Sequence, residues 1–369
     1  MMRNAIATPH RLANLNPLDL GDLPVGHEPF AKSTMFHRSK NRIGIALLSM
    51  LFALTAHADA RYDALAKKFE QRAESGDPIA QNNLGALYLK GRGVEQSYDK
   101  ARYWFESAVA AELPGAMFNL AMVYLRGYGV EIDVEKSNDL LERSASKGDR
   151  DAQFFLGLHY SSATGFEKDL AAAKLWFRRA AEQQVAAAMY NLGVLYLDPA
   201  VDNDVLAIEW LEKAAAANYP GVELTIAKVN LSRSNNPQRV ALGVKQYTEL
   251  AESNNLDAQI QLGMLYTLGQ GVEQNFDEGR FWLERAATQG SAQAQLNLGN
   301  IYADGVGVEQ DLGKAMAWYT IAAENGDPAA TRNADLLSNK LSDTERKTAE
   351  TEATRLRDRY GAELDTVGQ

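Results

Sequence analysis

The chain contains no cysteine, and of its five histidines only His159 lies beyond residue 58. Without thiols there can be no disulfide framework, no cysteine nucleophile and no lipoprotein acylation site. The scarcity of histidine also removes the usual ligand of transition metals and the commonest general base. The composition therefore predicts a protein that is not an enzyme and that holds no metal or cofactor.

Positive charge is also in short supply. Lysine and arginine number 38 against 48 aspartates and glutamates, which gives a formal net charge of −10 at pH 7. An acidic surface repels phosphate backbones and anionic lipid head groups. We therefore expect a protein or peptide partner, and no nucleic acid.

The N-terminus is predicted to be a leader. Residues 35–58 have the layout of a secretory signal peptide, with a basic start, an apolar run at Ile43–Ala56 and a small-residue cleavage site ending at Ala58. The run is shorter than the roughly 20 residues of a membrane-spanning helix. We expect cleavage after Ala58, a periplasmic location in a Gram-negative bacterium and no stable membrane insertion, with an uncleaved anchor as the alternative. Residues 1–34 are interpreted as an upstream extension, with translation starting at Met35.

The remainder of the chain is dominated by an internal repeat. The full pattern is a Leu-Gly pair or a close variant, then an aromatic residue, a glycine-rich loop, a tryptophan and paired alanines, and some copies depart from it. The first residue of the Leu-Gly pair recurs every 36 residues, with one step of 34, at Leu84, Leu120, Leu156, Leu192, Ile226, Leu262 and Leu298. A period of this length is typical of a solenoid, and solenoids usually hold other molecules.

One repeat reads as a helical hairpin. Asp77 caps a first helix that has Pro78 in its first turn, and Gly91–Gly93 ends that helix. Gly85, next to Leu84, is expected to make room for a neighbouring helix, since glycine inside a helix costs about 1 kcal/mol relative to alanine. The second helix carries a recurring tryptophan, at Trp104, Trp176, Trp210, Trp282 and Trp318. We expect these indole rings to be buried between hairpins.

The repeated pattern is Ala-x-x-x-Leu-Gly-x-x-Tyr, then Gly-x-Gly-Val, Lys-Ala-x-x-Trp and Ala-Ala-x-x-Gly. It resembles the Sel1-like repeat, a relative of the tetratricopeptide repeat, over residues 76–333. The resemblance implies an all-α fold, a right-handed α/α superhelical solenoid of about seven hairpins used for protein–protein contact. Residues 59–75 are interpreted as an N-terminal capping helix. Residues 334–369 are interpreted as a C-terminal capping helix and tail, with a capping box at Ser342–Glu345.

Two departures from the pattern have predicted consequences. The fifth repeat has Asn230 in place of the tyrosine and Gln246 in place of the tryptophan, so we expect it to be the softest joint and a candidate hinge. His159 occupies a position that is aliphatic in the other repeats. It is interpreted as a buried, hydrogen-bonded histidine, with a pH-sensitive joint as the alternative.

Two Ser-x-x-Lys strings, Ser97–Lys100 and Ser144–Lys147, match the first motif of serine β-lactamases. The Lys-Thr-Gly and Ser-Asp-Asn motifs that accompany it in those enzymes are absent from the sequence. A hydrolase of peptidoglycan or β-lactams is therefore only the weakest alternative.

Three columns of residues near the Leu-Gly pairs are candidate partner-binding positions, a column being the set of residues at one position in successive repeats. The resemblance implies that they line a concave groove, as the matching positions do in tetratricopeptide arrays. The candidates are Asn83, Phe118, Asn119, Met122, Phe154, Phe155, Tyr190, Asn191, Val194, Gln261, Met264 and Asn297. Amide side chains both donate and accept hydrogen bonds, and methionine adapts to varied apolar groups. The competing interpretation is that these residues pack between hairpins.

The sequence therefore predicts a periplasmic, non-enzymatic scaffold or adaptor that binds a partner segment in the groove. A structural component or regulator of an envelope machine, such as one for secretion, motility or polysaccharide export, is the main alternative.

Overall fold

The computed structural model describes residues 62–162, 167–232 and 236–367, with side chains up to residue 359, and the predicted leader lies outside these ranges. Every regular element within them is an α-helix. Helix α1 covers residues 62–74. The others are α2 Pro78–Lys90, α3 Tyr98–Ala110, α4 Pro114–Arg126, α5 Val134–Ser146, α6 Arg150–Ser162, α7 Leu170–Glu182, α8 Ala186–Tyr196, α9 Asp204–Ala216, α10 Val222–Ser232, α11 Pro237–Glu252, α12 Leu256–Leu268, α13 Phe276–Thr288, α14 Ala292–Asp304, α15 Leu312–Glu324, α16 Pro328–Ser338 and α17 Asp343–Val367.

The helices form two compact units, of which unit 1 ends at Leu195 and unit 2 begins at Tyr196. In unit 1 the helices pair as the hairpins α2–α3, α4–α5 and α6–α7. In unit 2 the hairpins are α10–α11, α12–α13 and α14–α15. The predicted all-α architecture of successive helical hairpins is confirmed.

Helix α2, the first helix of its hairpin, begins and ends as the sequence predicts. The Asp77 carboxylate accepts hydrogen bonds from the main-chain N–H groups of Ile79 and Ala80, at 3.0 and 3.2 Å. At the other end Gly91 has a φ of 63°, and its N–H donates to the carbonyl of Leu87. Left-handed glycine caps of the same kind end α4, α12 and α14. These caps satisfy main-chain groups that the helix ends would otherwise leave unpaired.

The second glycine of the loop lets the preceding hairpin pack closely against it. A Cβ atom on Gly129 would lie 2.6 Å from the Cβ of Tyr98 in the preceding hairpin, and the Tyr98 ring stacks on Tyr128 with centroids 5.4 Å apart. Phe276 packs on Gly307 in the same way. The sequence interpretation gave this glycine a role only in the turn, but it also makes room for the neighbouring hairpin.

The glycine of the Leu-Gly pair makes room for the second helix of its own hairpin. A Cβ atom on Gly85 would lie 2.8 Å from two carbons of the Phe105 ring and 3.1 Å from the carbonyl oxygen of Ala101. Gly157 faces Phe177 and Gly299 faces Tyr319 equally closely. The predicted packing role of this glycine is confirmed.

The prediction that the tryptophans fill the core is only partly right. Trp282 and Trp318 are buried, whereas Trp104, Trp176 and Trp210 are partly exposed. The fully buried position is the next residue along the second helix, at Phe105, Phe177, Leu211 and Leu283. At Phe105, Phe177 and Leu283 that residue faces the Leu-Gly glycine of the first helix, which has no side chain. The partly exposed tryptophans lie at the edge of the core, where Arg179 and Lys213 cover Trp176 and Trp210.

Buried glutamines tie successive hairpins together. The side-chain amide of Gln259 donates to the carbonyl of Ala251 in the preceding hairpin, at 3.0 Å, and its oxygen accepts from Gln289 at 2.7 Å. Gln295 makes the equivalent bonds with Ala287 and Asn325. In unit 1, Gln153 bonds in the same way to Ala145 and Gln183. Since buried polar groups are costly when unpaired, this column helps to hold the order of the hairpins.

The fifth hairpin, α10–α11, replaces the tyrosine and tryptophan with a polar network. The buried Asn230 donates from Nδ2 to Gln246 Oε1 at 3.0 Å and accepts from Arg239 Nε at 3.3 Å. The helices still pair, and Tyr247, the residue after Gln246, is buried in the core of this hairpin. A hinge at this hairpin stays a prediction.

Helix α17 covers α15. Its N-terminus has the capping-box bonds, with the Glu345 N–H donating to Ser342 Oγ at 3.3 Å and the Ser342 N–H donating to Glu345 Oε2 at 2.7 Å. Ala353 and Leu356 are buried against the α15 face that carries Trp318. The sequence interpretation identified a C-terminal capping helix by its capping box and did not predict this apolar contact.

Candidate protein-binding surface

All twelve candidate residues lie on the first helices of the hairpins. They are Asn83 on α2; Phe118, Asn119 and Met122 on α4; Phe154 and Phe155 on α6; Tyr190, Asn191 and Val194 on α8; Gln261 and Met264 on α12; and Asn297 on α14. The first nine belong to unit 1 and the last three to unit 2.

Three of the twelve are core residues, which corrects the prediction that they line an open groove. Phe118, Met122 and Phe155 are 5, 4 and 5% exposed. The rings of Phe118 and Phe155 meet edge to face with centroids 5.3 Å apart, so they fill the space between α4 and α6. These three residues therefore pack between hairpins, as the competing interpretation predicts. A partner could not reach them in this structure.

The amide positions remain at the surface. Asn119 Nδ2 donates to Asn82 Oδ1 at 2.9 Å, which links the first helices of two adjacent hairpins. Asn83 and Asn191 are partly exposed, and the Asn191 amide donates to the carbonyl of Ala187 in its own helix. Sequence reasoning missed Asn82, although it stands two residues before Leu84 in the column that contains Phe118. We call Asn82, Asn83, Asn119 and Asn191 the amide face of unit 1.

In unit 2 the amide positions are also at the surface. Gln261 is exposed, and Asn297 is partly exposed and accepts a hydrogen bond from Gln293 at 3.2 Å. The remaining apolar candidates, Phe154, Tyr190, Val194 and Met264, are partly exposed. Their apolar surface adjoins the amides along the same first helices.

The first helices of unit 1 carry little charge. Helix α2 has one charged side chain, Lys90, α4 has one, Arg126, and α8 has none. Helix α6 has two, Arg150 and Asp151, which have opposite charges and lie 4.0 Å apart. The second helix α3, by contrast, carries Asp99, Lys100, Arg102 and Glu106. The surface next to the amides therefore offers hydrogen bonds and apolar contact but no strong field, which suits an uncharged polypeptide segment.

The two Ser-x-x-Lys strings are accounted for by structural contacts. Ser97 Oγ caps α3 by accepting from the N–H of Lys100, while the Lys100 ammonium lies 5.1 Å from the centroid of Tyr88. Ser144 is buried, and its hydroxyl donates to the carbonyl of Pro114 at 2.8 Å. In neither string is the serine arranged as an accessible nucleophile beside the lysine.

His159 is a buried neutral side chain. Burial lowers the pKa of His159 from 6.5 to about 4, and its ring meets the Phe155 ring edge to face at 6.4 Å. The imidazole is therefore uncharged at neutral pH. The predicted burial is confirmed, and the predicted hydrogen bond stays a prediction.

No cluster of metal-binding side chains occurs in the described ranges, which contain no group of three or more His, Cys, Asp or Glu that could hold an ion. Among the same residues no helix is both long enough and apolar enough to cross a membrane.

Comparison with known families identifies the repeat. The Sel1 repeat family matches six segments, residues 78–112, 114–149, 150–185, 186–219, 256–291 and 292–327. Together they make up more than half of the chain. The chain belongs to the Sel1 repeat family. The unmatched gap between the fourth and fifth segments, residues 220–255, contains the hairpin α10–α11 of this Sel1 repeat protein, where Asn230 and Gln246 replace aromatic residues.

Two solved structures share the fold. One is c5321, a protective antigen of uropathogenic Escherichia coli with an SLR fold, at 28% identity and a TM-score of 0.60, covering 81% of this chain. This chain spans 64% of the length of that protein. The other is a Sel1 repeat protein from Oxalobacter formigenes, at 26% identity and a TM-score of 0.55, covering 84% of this chain and 98% of that one. A search of curated proteins gave no match.

Proposed function

We propose that this Sel1 repeat protein is a periplasmic, non-enzymatic scaffold that binds a segment of a protein partner on the amide face. The observation that carries the proposal is the surface position of the amides on the first helices, with Asn119 and Asn82 joined across two hairpins. Surface asparagines in the interior of helices do not favour the helix itself, so their recurrence in one column suggests another use.

The chemistry of the amide face suits an extended backbone. Each asparagine offers a donor and an acceptor, which is the same pairing that a peptide unit offers. Partly exposed Phe154 and Tyr190 add apolar contact beside the amides. With little charge on these helices, binding should depend weakly on salt.

The test replaces Asn119 and Asn191 with alanine together and measures partner binding and thermal unfolding. The partner is first trapped by crosslinking at Asn83 in living cells and then purified. Binding should weaken about tenfold or more, the change expected when central interface contacts are lost. Unfolding should move little, since a part-buried hydrogen bond such as that of Asn119 to Asn82 contributes about 1 kcal/mol.

A matched control is Arg179→Ala on the second helix α7, which should leave binding unchanged. If the double variant loses binding and also unfolds at a clearly lower temperature, the amides belong to the structural framework instead.

Export is the second part of the proposal. It rests on the signal-peptide layout of residues 35–58 and agrees with the description of the similar Escherichia coli protein as a protective antigen. N-terminal sequencing of protein released from the periplasm should begin at Asp59. A product that is retained in the cytoplasm with its leader intact would contradict this part alone.

The absence of catalysis is tested with the purified mature chain. Incubation with a chromogenic β-lactam or with cell-wall sacculi should give no turnover, because the Ser144 hydroxyl is buried and bonded to Pro114. Turnover that Ser144→Ala abolishes would overturn the non-enzymatic assignment.

A further inference from the structure

The loop between α4 and α5, the two helices of the second hairpin, has an exposed isoleucine where other repeats have a structural glutamine. In three repeats this glutamine donates from Nε2 to a main-chain carbonyl near the end of the first helix: Gln96 to Leu89 at 2.9 Å, Gln274 to Thr267 at 3.0 Å and Gln310 to Ala303 at 2.7 Å. Ile132 occupies the same position in the second hairpin and cannot make this bond. It is 66% exposed.

The loop of the second hairpin otherwise has the same geometry as the loops of the other repeats. A different backbone therefore does not explain why isoleucine stands in place of glutamine. The N–H of Asp133 donates to the carbonyl of Tyr124 at 3.1 Å, as that of Ser97 donates to Tyr88 at 3.0 Å. A Cβ atom on Gly127 would lie 3.0 Å from Ile132 Cγ1, much as one on Gly91 would lie 3.1 Å from the Cβ of Gln96. A side chain that supports the loop has thus been replaced by one that presents apolar surface to solvent.

The loop that carries Ile132 also carries one ring of a stacked pair of tyrosines. Tyr128 lies in the same loop, and its ring stacks on Tyr98 at 5.4 Å with an angle of 20° between the ring planes. Tyr98 is 37% exposed and Tyr128 is partly exposed. Together Tyr98, Tyr128 and Ile132 form what we call the loop patch of unit 1. Rigid aromatic rings beside an aliphatic side chain are typical of binding anchors.

Carboxylates flank the loop patch. Glu131 precedes Ile132, Glu135 follows it by three residues, and Glu95 precedes Tyr98 by three residues. All three side chains are exposed, and no ion pair involving them occurs in the described part of the chain. The rim of the patch is therefore negative, while its centre is apolar.

We propose that the loop patch is a second docking surface, distinct from the amide face, for a basic segment of a protein partner that also carries aliphatic side chains. The aliphatic groups pack on Ile132 and the tyrosine pair, while lysines or arginines meet Glu95, Glu131 and Glu135. This charge complementarity selects the occupant. An anionic lipid surface is repelled by the same carboxylates, and two copies of the patch facing each other would place like charges together.

The test uses a synthetic peptide of alternating lysine and leucine, with a glutamate–leucine peptide of the same length as the reversed-charge probe. Binding to the mature chain is measured by calorimetry at low and moderate salt. The basic peptide should bind and the acidic one should not. Ile132→Gln should weaken binding about tenfold. This variant restores the residue of the other repeats, so it should fold at least as stably as the parent, and thermal unfolding checks this.

The matched control is Ile79→Gln, because Ile79 is 57% exposed on α2 and lies outside the loop patch. It should leave the affinity unchanged. Glu131→Lys should also weaken binding and reduce its salt dependence. The proposal is overturned if neither peptide binds, if both bind equally, or if Ile132→Gln and Ile79→Gln have the same effect. The last result would mean that the acidic chain attracts lysines without a defined site.

Discussion

The substitution Gly157→Ala tests whether the Leu-Gly glycines are required by packing. The added Cβ would lie 2.6 Å from Cε1 and 2.9 Å from Cγ of Phe177, and closer still to Cδ1. The Phe177 ring is fully buried, so it has little room to move. Overpacking of this kind costs about 1–3 kcal/mol, while replacing glycine in a helix by alanine returns about 1 kcal/mol. Three ring carbons of Phe177 lie within 3 Å of the added atom, so we expect the upper part of this range, about 2–3 kcal/mol, and hence a net loss of about 1–2 kcal/mol.

The second hairpin of the same unit indicates how the loss can be reversed. There Ala121 stands in place of the glycine, and Leu141, rather than a phenylalanine, occupies the facing column. Both side chains are fully buried. The double variant Gly157→Ala with Phe177→Leu recreates this pair, so its loss should be smaller than the sum of the two single losses by about 1 kcal/mol.

The assay is urea unfolding of the parent, both single variants and the double variant, followed by circular dichroism at 25 °C. Gly115→Ala is the control, since the nearest atoms to its added Cβ would be 3.8 Å away and the helix should gain slightly. The packing argument fails if Gly157→Ala is as stable as the parent, or if the losses of the two single variants simply add.

Three further predictions concern buried polar groups. Ser137 is fully buried, and its hydroxyl has no hydrogen-bond partner in the described chain. Ser137→Ala should therefore raise the free energy of unfolding by about 1 kcal/mol. An unchanged or lower urea midpoint would contradict this. Gln259→Met removes the hydrogen bonds to Ala251 and Gln289, so it should lower the free energy of unfolding by about 1–3 kcal/mol. An unchanged urea midpoint would show that the glutamine column is dispensable. Because the pKa of His159 is lowered to about 4, the unfolded chain takes up the proton first as the pH falls, and about 3 kcal/mol of stability should be lost between pH 6.5 and 4. Unfolding midpoints measured across this range should fall less steeply for His159→Leu, and parallel curves would rule out this role.

The periodic features of the fold could be predicted from the sequence because they obey local rules. A glycine that recurs beside a leucine in a helical pattern, as at Gly85, indicates that a neighbouring helix packs closely there. The structure places Gly85 against Phe105. The left-handed cap at Gly91 follows in the same way from the position of glycine after an apolar stripe.

The features that were missed depend on contacts between repeats. Gln153 forms an inter-repeat bond, but the same column holds methionine at Met117, so the sequence shows no uniform polar signal. Phe118 and Phe155 were assigned to a groove because the resemblance to tetratricopeptide arrays implied it. Helical periodicity could not correct this, since it does not say which neighbouring helix covers a given face. The contact of α17 with α15 had a signal in Ala317 and Ile321, which are apolar where other repeats have charged residues such as Asp139 and Arg143.

The proposal that the amide face binds a protein partner is tested most directly by site-specific photocrosslinking in living cells. A benzophenone amino acid is placed at Asn119 on the amide face or at Arg179 on the second helix α7, and adducts are identified by mass spectrometry. The account predicts an adduct with one envelope protein from the Asn119 position and none from the Arg179 position. The same adducts from both positions, or none from Asn119 in correctly exported protein, would contradict it.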